Sequence, residues 1–203
     1  MNGPGLKPGA KSLIYFPESY MKQHPLHRVG ETRFNQPAFK TPNLHIRPVE
    51  ESDAPALSVL RSDERVNRYL DREKITSQAA AQAFIKKIKE SVDAGTSFYW
   101  IICRANDAAL IGTICLWNFS ADQGSAEIGY ELHPDYQGRG YMQEAVECII
   151  RFAFGERGLR VIGAVTHKDN LPSLKLLNRN GFTADPLHTN EENPDCVLYR
   201  LFR

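Results

Sequence analysis

The sequence predicts a mixed α/β fold, with a mostly antiparallel central sheet flanked by helices. Three observations carry the prediction. The apolar runs Phe98–Arg104, Ala109–Trp117 and Ser125–Leu132 are joined by short polar loops, which favours an antiparallel meander. Two helix–strand alternations follow the meander and switch the chain toward parallel crossovers. Amphipathic segments at 78–92 and 141–154 supply helices able to cover the sheet.

Each element has a local reason. Leu44-His45-Ile46-Arg47-Pro48-Val49 alternates at period two and reads as a strand. Ser52 or Asp53 can cap a helix that carries Pro55 in its first turn and runs to about Arg61. A second short helical piece is expected over about 63–70. Ser77 caps a longer helix, Gln78 to Val92, with Phe84, Ile85, Ile88 and Val92 on its apolar face and Gly95 stopping it. Asn106-Asp107 and Asp122-Gln123-Gly124 turn the meander. The helix from Tyr141 to Phe154 buries Met142, Ala145, Val146, Ile149, Ile150 and Ala153. Val161–Thr166 is a strand, Leu171–Asn180 a helix closed by Gly181, and Phe182–Ala184 and Cys196–Phe202 are the last strands.

Composition narrows the function. Among 203 residues, 25 Lys+Arg against 24 Asp+Glu give a net charge of +1. That balance argues against a nucleic-acid partner. The charge is uneven, however. Residues 1–43 hold six basic and two acidic residues, a net +4, together with six of the 12 prolines; the remainder is −3. The sequence therefore divides into a proline-rich basic N-terminal extension, 1–43, and a domain, 44–203. The extension reads as irregular and is expected to pack over the domain through Ile14, Tyr15 and Phe16. No run of 18 apolar residues suggests a membrane span, and no apolar leader suggests secretion. Cys103, Cys115, Cys148 and Cys196 are widely spaced, so free thiols in a cytoplasmic protein are expected and a metal is not.

The chemistry concentrates in one segment. A strand leads into Gln137-Gly138-Arg139-Gly140-Tyr141-Met142, which opens a helix. Glycines there let backbone approach a ligand closely, and the unpaired N–H groups of a first helical turn suit a pyrophosphate. A turn without a ligand would use the same glycines. No Gly-Lys-Ser/Thr follows, which disfavours an ATP site, and the third glycine of a dinucleotide fingerprint is missing.

The run from Glu127 to Ala145, through His133-Pro134-Asp135-Tyr136-Gln137-Gly138-Arg139-Gly140, resembles the acetyl-CoA segment of the GNAT N-acetyltransferases. Within that superfamily it is most similar to the RimJ/RimL group, which acetylates protein N-termini, notably of ribosomal proteins. Met142 stands where the family has a small residue; its bulk could tilt the helix entry or narrow the pantetheine slot, without abolishing binding, because the phosphate contacts are mainly backbone. A second match lies about 30 residues on: a strand, then Asn170-Leu171-Pro172-Ser173, a helix and Gly181-Phe182.

The resemblance covers about 44–203 and implies the GNAT fold and acetyl-CoA as acyl donor. It implies an amine acceptor that attacks the thioester directly in a ternary complex, and a possible homodimer. A protein N-terminal amine is the first expectation for the acceptor. A small amine, or an acyl-CoA-binding module without turnover, is the alternative. Carried over by position, Leu132, His133, Gln137, Gly138, Arg139, Gly140, Tyr141, Met142, Asn170 and Ser173 would hold the donor. Ser173 would serve the leaving thiol, with Tyr130 or Tyr141 as substitutes. Glu127, on the strand before the loop, is the candidate base. Glu131 lies on the same strand face four residues later and is a second candidate base; with Trp117 and Asn118 it is also expected at the amine site. Glu191, Glu192 and Asp195 could attract a cationic amine.

Overall fold

The strand runs assemble into one eight-stranded sheet in the computed structural model, which describes residues 36–70, 72, 74–186 and 193–203. The strands are β1 (Phe39–Lys40), β2 (Leu44–Pro48), β3 (Phe98–Arg104), β4 (Leu110–Trp117), β5 (Ser125–Leu132), β6 (Val161–His167), β7 (Thr183–Ala184) and β8 (Cys196–Phe202). Their spatial order is β1-β2-β3-β4-β5-β6-β8-β7. Every neighbouring pair is antiparallel except β5 with β6. The mixed, mostly antiparallel sheet expected from the sequence is thus present.

Helices cover both faces. α1 (Ala54–Ser62), α2 (Glu64–Asn67) and α3 (Gln78–Asp93) lie between β2 and β3; α4 (Tyr141–Arg151) follows β5 and α5 (Leu171–Arg179) follows β6. Leu57 and Leu60 of α1 and Ile85 and Ile88 of α3 pack with Tyr99, Ile101 and Cys115 on one face. Ala145, Val146 and Ile149 of α4 and Leu177 of α5 pack with Trp100, Ile114, Ile128 and Ile162 on the other. β3 is buried on both faces, which is why it reads as an unbroken apolar run rather than an alternation.

Some boundaries differ from expectation. The helix expected over 63–70 stops at Asn67, whose amide Nδ2 donates to the carbonyls of Arg61 and Asp63, both at 2.8 Å. α4 ends at Arg151, and a π-turn over Phe152–Glu156 replaces its last turn, with Arg157 N–H bonded to Phe152 O at 3.0 Å. That wider turn leaves both Phe152 and Ala153 buried.

The largest difference lies in the extension. Residues 36–43 lie against the sheet, and Phe39–Lys40 pair with β2 as an edge strand instead of being irregular. Gln36 exchanges side-chain hydrogen bonds with the backbone of Tyr99 (2.6 and 3.3 Å), and Trp100 Nε1 donates to Pro37 O (2.7 Å). Phe39 packs tilted against Trp100 and edge-on to Phe152, with ring centroids 5.9 and 5.5 Å away. Ile14, Tyr15 and Phe16 lie outside the described residues.

Candidate active site

The site is organised by the one parallel pair. β5 and β6 pair only from Ser125↔Val161 to Glu127↔Gly163. Beyond that point both strands continue, β5 to Leu132 and β6 to His167, without pairing to each other. The result is a slot that opens toward the 133–140 loop.

The antiparallel ladder shows which backbone groups face the slot. His133 N–H bonds to Ile111 O (2.8 Å), which makes 111/133 a hydrogen-bonded position of the β4–β5 ladder. Alternation then turns the odd residues of β5 toward β4 and the even ones toward β6. Tyr130 and Leu132 therefore present their N–H and C=O groups to the slot. Leu132 O is already taken by Gln137 Nε2 (3.1 Å). The backbone groups of His133 are spent inside the protein, on Ile111 O and on Tyr136 N–H (3.0 Å). Its ring Nδ1 accepts from Asp135 N–H (3.3 Å). His133 was expected to offer backbone groups to the donor; both are instead engaged inside the protein, where they shape the turn after β5.

The two glycines of the turn ahead of α4 take left-handed backbone. Gly138 and Gly140 have φ of +73° and +82°, conformations that a side chain disfavours. A Cβ on either would meet nothing within 4 Å, so open space lies over both. The first intrahelical bond of α4 is Glu144 N–H to Gly140 O (3.0 Å). The N–H groups before it have no partner within the helix, as at other helix starts that can receive phosphate oxygens. Arg139 is exposed beside them. Tyr141 is half-buried against the core and Met142 is buried within it. The Met142 side chain thus goes into the α4 core, and a crowded slot is not what this residue produces.

Side chains on the two faces of β5 differ in kind. On the α4/α5 face, Tyr130 OH and Ser173 Oγ are 2.8 Å apart. Ser173 is 8% exposed, and its N–H is capped by Asn170 Oδ1 (3.3 Å), as a helix start requires. Burial pushes the Tyr130 phenol up to about 12, with the Ser173 contact opposing.

On the α1/α3 face, Glu127 is half-buried at the last paired position, opposite Trp117 on β4 and Gly163 on β6. Asn118 Nδ2 donates to Glu127 Oε1 (2.7 Å); Asn118 adopts φ +51° at the end of β4. The sequence-predicted Trp117, Asn118 and Glu127 are therefore neighbours.

Glu131 does not join them. It is 5% exposed. Its Oε1 accepts from Arg61 Nη1 (3.2 Å) and Thr113 Oγ1 (3.0 Å), and its Oε2 from Arg72 Nη2 (2.5 Å). Burial works against its charge, but Arg72 and Arg61 outweigh it and hold the carboxyl below its ordinary value. An engaged, low-pKa carboxylate is unsuited to be a base or to meet an amine, so the expectation for Glu131 is corrected. Arg61 and Arg72 were not singled out from the sequence. The only signal was a carboxylate in an apolar strand, which must find cations when buried. Asp195 is tied to Lys168 (2.6 Å), while Glu191 and Glu192 lie outside the described residues.

Known proteins share this architecture. Residues 43–183 match the acetyltransferase (GNAT) domain. The uncharacterized N-acetyltransferase YoaA of Bacillus subtilis is 32% identical over 146 residues, covering 72% of this chain and 82% of that protein. The uncharacterized N-acetyltransferase p20 of Bacillus licheniformis is 32% identical over 163 residues, covering 80% and 91%. Among solved structures, RimL, a ribosomal L7/L12 alpha-N-protein acetyltransferase in complex with coenzyme A, superposes with a TM-score of 0.73. It is 22% identical and covers 82% of this chain and 98% of its own. The chain belongs to the GNAT family and is an acetyl-CoA-dependent N-acetyltransferase.

Proposed function

We propose that the acceptor is the N-terminal amine of a protein, of the ribosomal-protein kind, and that transfer is direct within a ternary complex. Acetyl-CoA supplies an acyl carbon activated as a thioester. The observation that carries the mechanism is the division of labour across the sheet. Glu127 stands on the α1/α3 face and the Tyr130–Ser173 pair on the α4/α5 face, both close to where β5 and β6 part.

Glu127 takes the proton that an ammonium must lose before it can attack. Asn118 holds one carboxylate oxygen, and Trp117 walls the same side. Tyr130 N–H faces the slot and donates to the acyl oxygen as negative charge develops there. Tyr130 OH donates a hydrogen bond to the departing sulfur, with Ser173 Oγ fixing its direction. The backbone of Gly138 to Met142 holds the pyrophosphate, with Arg139 pairing a phosphate oxygen. Gln137 braces the loop through Leu132 O, and Asn170 sets the start of α5. The structural likeness to RimL, whose described role is alpha-N acetylation of ribosomal L7/L12, supports a protein N-terminus as acceptor. The cytoplasm, where new N-termini and acetyl-CoA meet, is the setting this reading requires.

The test is an acceptor screen by thiol release with acetyl-CoA, across ribosomal-protein N-terminal peptides and small amines. Turnover of α-amino peptides, lost when the α-amine is blocked, is the expected result. Turnover confined to polyamines, aminoglycosides or free amino acids would overturn the reading.

A further inference from the structure

β5 and β6 part beyond Glu127 and Gly163, and on the face that carries Glu127 the gap between them is bridged. Ile162 and Ala164 of β6 are buried with α4 and α5. Alternation therefore turns Gly163, Val165 and His167 to the α1/α3 face, beside Glu127. A Cβ on Gly163 would lie 3.4 Å from Glu127 Cγ, so the stem of that carboxylate rests against β6.

The chain after α2 reaches both separated strands. The Tyr69 ring packs on the His167 imidazole at the end of β6, with ring centroids 5.5 Å apart and planes tilted by 33°. Nearby, Arg72 Nη2 donates to Glu131 Oε2 on β5 (2.5 Å) and Arg72 Nε to Asn67 Oδ1 (2.8 Å). Leu70 N–H bonds to Asn67 O (3.0 Å) and tightens the turn that carries Tyr69. The buried Glu131 cluster thus holds a rung across the open end of the slot. The result is a closed frame. Glu127 and Gly163 form its vertex, β5 and β6 its sides, and Tyr69 with His167 its top.

The length of this frame selects what can span it. Gly163 to His167 is four residues of strand, about 13 Å. An extended peptide advances about 3.3–3.6 Å per residue. A chain whose α-amine sits at Glu127 therefore meets the rung with its third or fourth residue. A small amine would fill the vertex and leave the rung untouched.

The rung has a donor to offer. His167 Nδ1 accepts from Asp169 N–H (3.1 Å), so the neutral ring carries its proton on Nε2. Among the described residues, His167 makes no hydrogen bond through Nε2. Its side chain is 23% exposed, enough for a ligand to reach. Tyr69 beside it is half-buried, with the exposed Arg68 guanidinium 5.3 Å from its ring centroid.

We propose that the acceptor enters through this frame as an extended peptide end, and that Tyr69 and His167 bind its third or fourth residue. His167 Nε2–H donates to a backbone carbonyl there, and the Tyr69 ring packs against the neighbouring side chain. The inference rests on the reading of the acceptor as a protein N-terminus and adds how much of that terminus is read.

Steady-state kinetics with C-amidated α-amino peptides of one to six residues, all cut from one sequence, test this. KM should fall about tenfold as the chain grows from one residue to four, as expected for a gained hydrogen bond and ring contact, and then level off. Tyr69→Ala and His167→Ala should each remove most of that gain by raising KM for the four-residue peptide. Tyr69→Phe, which keeps the ring, should retain it. Thermal unfolding and KM for acetyl-CoA check that the variants are folded. A native KM that does not change with peptide length overturns the proposal, as do alanine variants that keep the full length dependence. Turnover of small amines with no peptide of any length overturns the protein-acceptor reading itself, and this inference with it.

Discussion

Replacing Tyr130 by Phe removes one hydroxyl from the α4/α5 face of the slot and tests how the leaving sulfur is handled. Two roles are conceivable for that hydroxyl, and their energies separate them. The phenol is pushed up to about 12, whereas a thiol has an ordinary pKa of about 8.5. Full proton transfer to the thiolate would therefore be uphill by about 5 kcal/mol, at 1.36 kcal/mol per unit. Donation of a hydrogen bond as charge builds on sulfur is the favoured role, and the loss of one such donor costs about 10²–10³-fold in kcat. Tyr130→Phe should lower kcat by about 10²-fold with little change in either KM. Ser173→Ala should cost less, because the phenol remains while its 2.8 Å partner is lost. The double variant should be no worse than Tyr130→Phe alone within about threefold, since the two hydroxyls act as a unit. Initial rates of thiol release at saturating acetyl-CoA read all three. A Tyr130→Phe enzyme within about threefold of the native kcat, or fully additive losses, would refute the reasoning.

Other consequences follow from the same geometry. Glu131→Gln leaves the buried guanidinium of Arg72 without its counter-charge and should cost about 3–5 kcal/mol in urea unfolding. Because Arg72 and Arg61 hold the folded Glu131 below its ordinary 4.5, its contribution is complete above that pH and lost as the pH falls below it. Stability of the native protein should therefore drop on the acid side more steeply than that of Glu131→Gln. Gly140→Ala forces a side chain to φ +82° and should cost about 1–2 kcal/mol while raising KM for acetyl-CoA and leaving KM for the amine unchanged. Gly112→Ala would drive a Cβ into the carbonyl oxygen of Glu131 and against Leu132; the β4–β5 ladder must shift beside the donor loop, and kcat should fall with stability.

Much of the fold was legible because its signals are local. Ser125–Leu132 and Cys196–Phe202 carry strand patterns that need no partner to be recognised, and Gly95, Gly140 and Gly181 punctuate helices through their left-handed backbone. β1 was not legible. Two residues among prolines become a strand only because Gln36, Pro37 and Phe39 find Tyr99 and Trp100 more than 60 residues away. The glycine turn ahead of α4 was legible for the same local reason as the helices. The rest of the site depends on which sheet face a residue takes and what crosses to it. Ser173 and Glu127 were visible as polar residues at strand and helix ends. Tyr130 joins Ser173 across 43 positions of sequence, and Arg72 reaches Glu131 across 59. No spacing rule announces such contacts, so Glu131 read as an available carboxylate when it is a buried anchor.

The claim at the centre is that the amine attacks the bound thioester directly, with the base on one face of the sheet and the sulfur donor on the other. Initial rates with acetyl-CoA and an α-amino peptide varied together test it most directly. Direct transfer predicts double-reciprocal lines that intersect, and no acetyl group retained on the protein after exposure to acetyl-CoA alone. Parallel lines, with a stoichiometric acetyl-protein isolated before the amine is added, would contradict it.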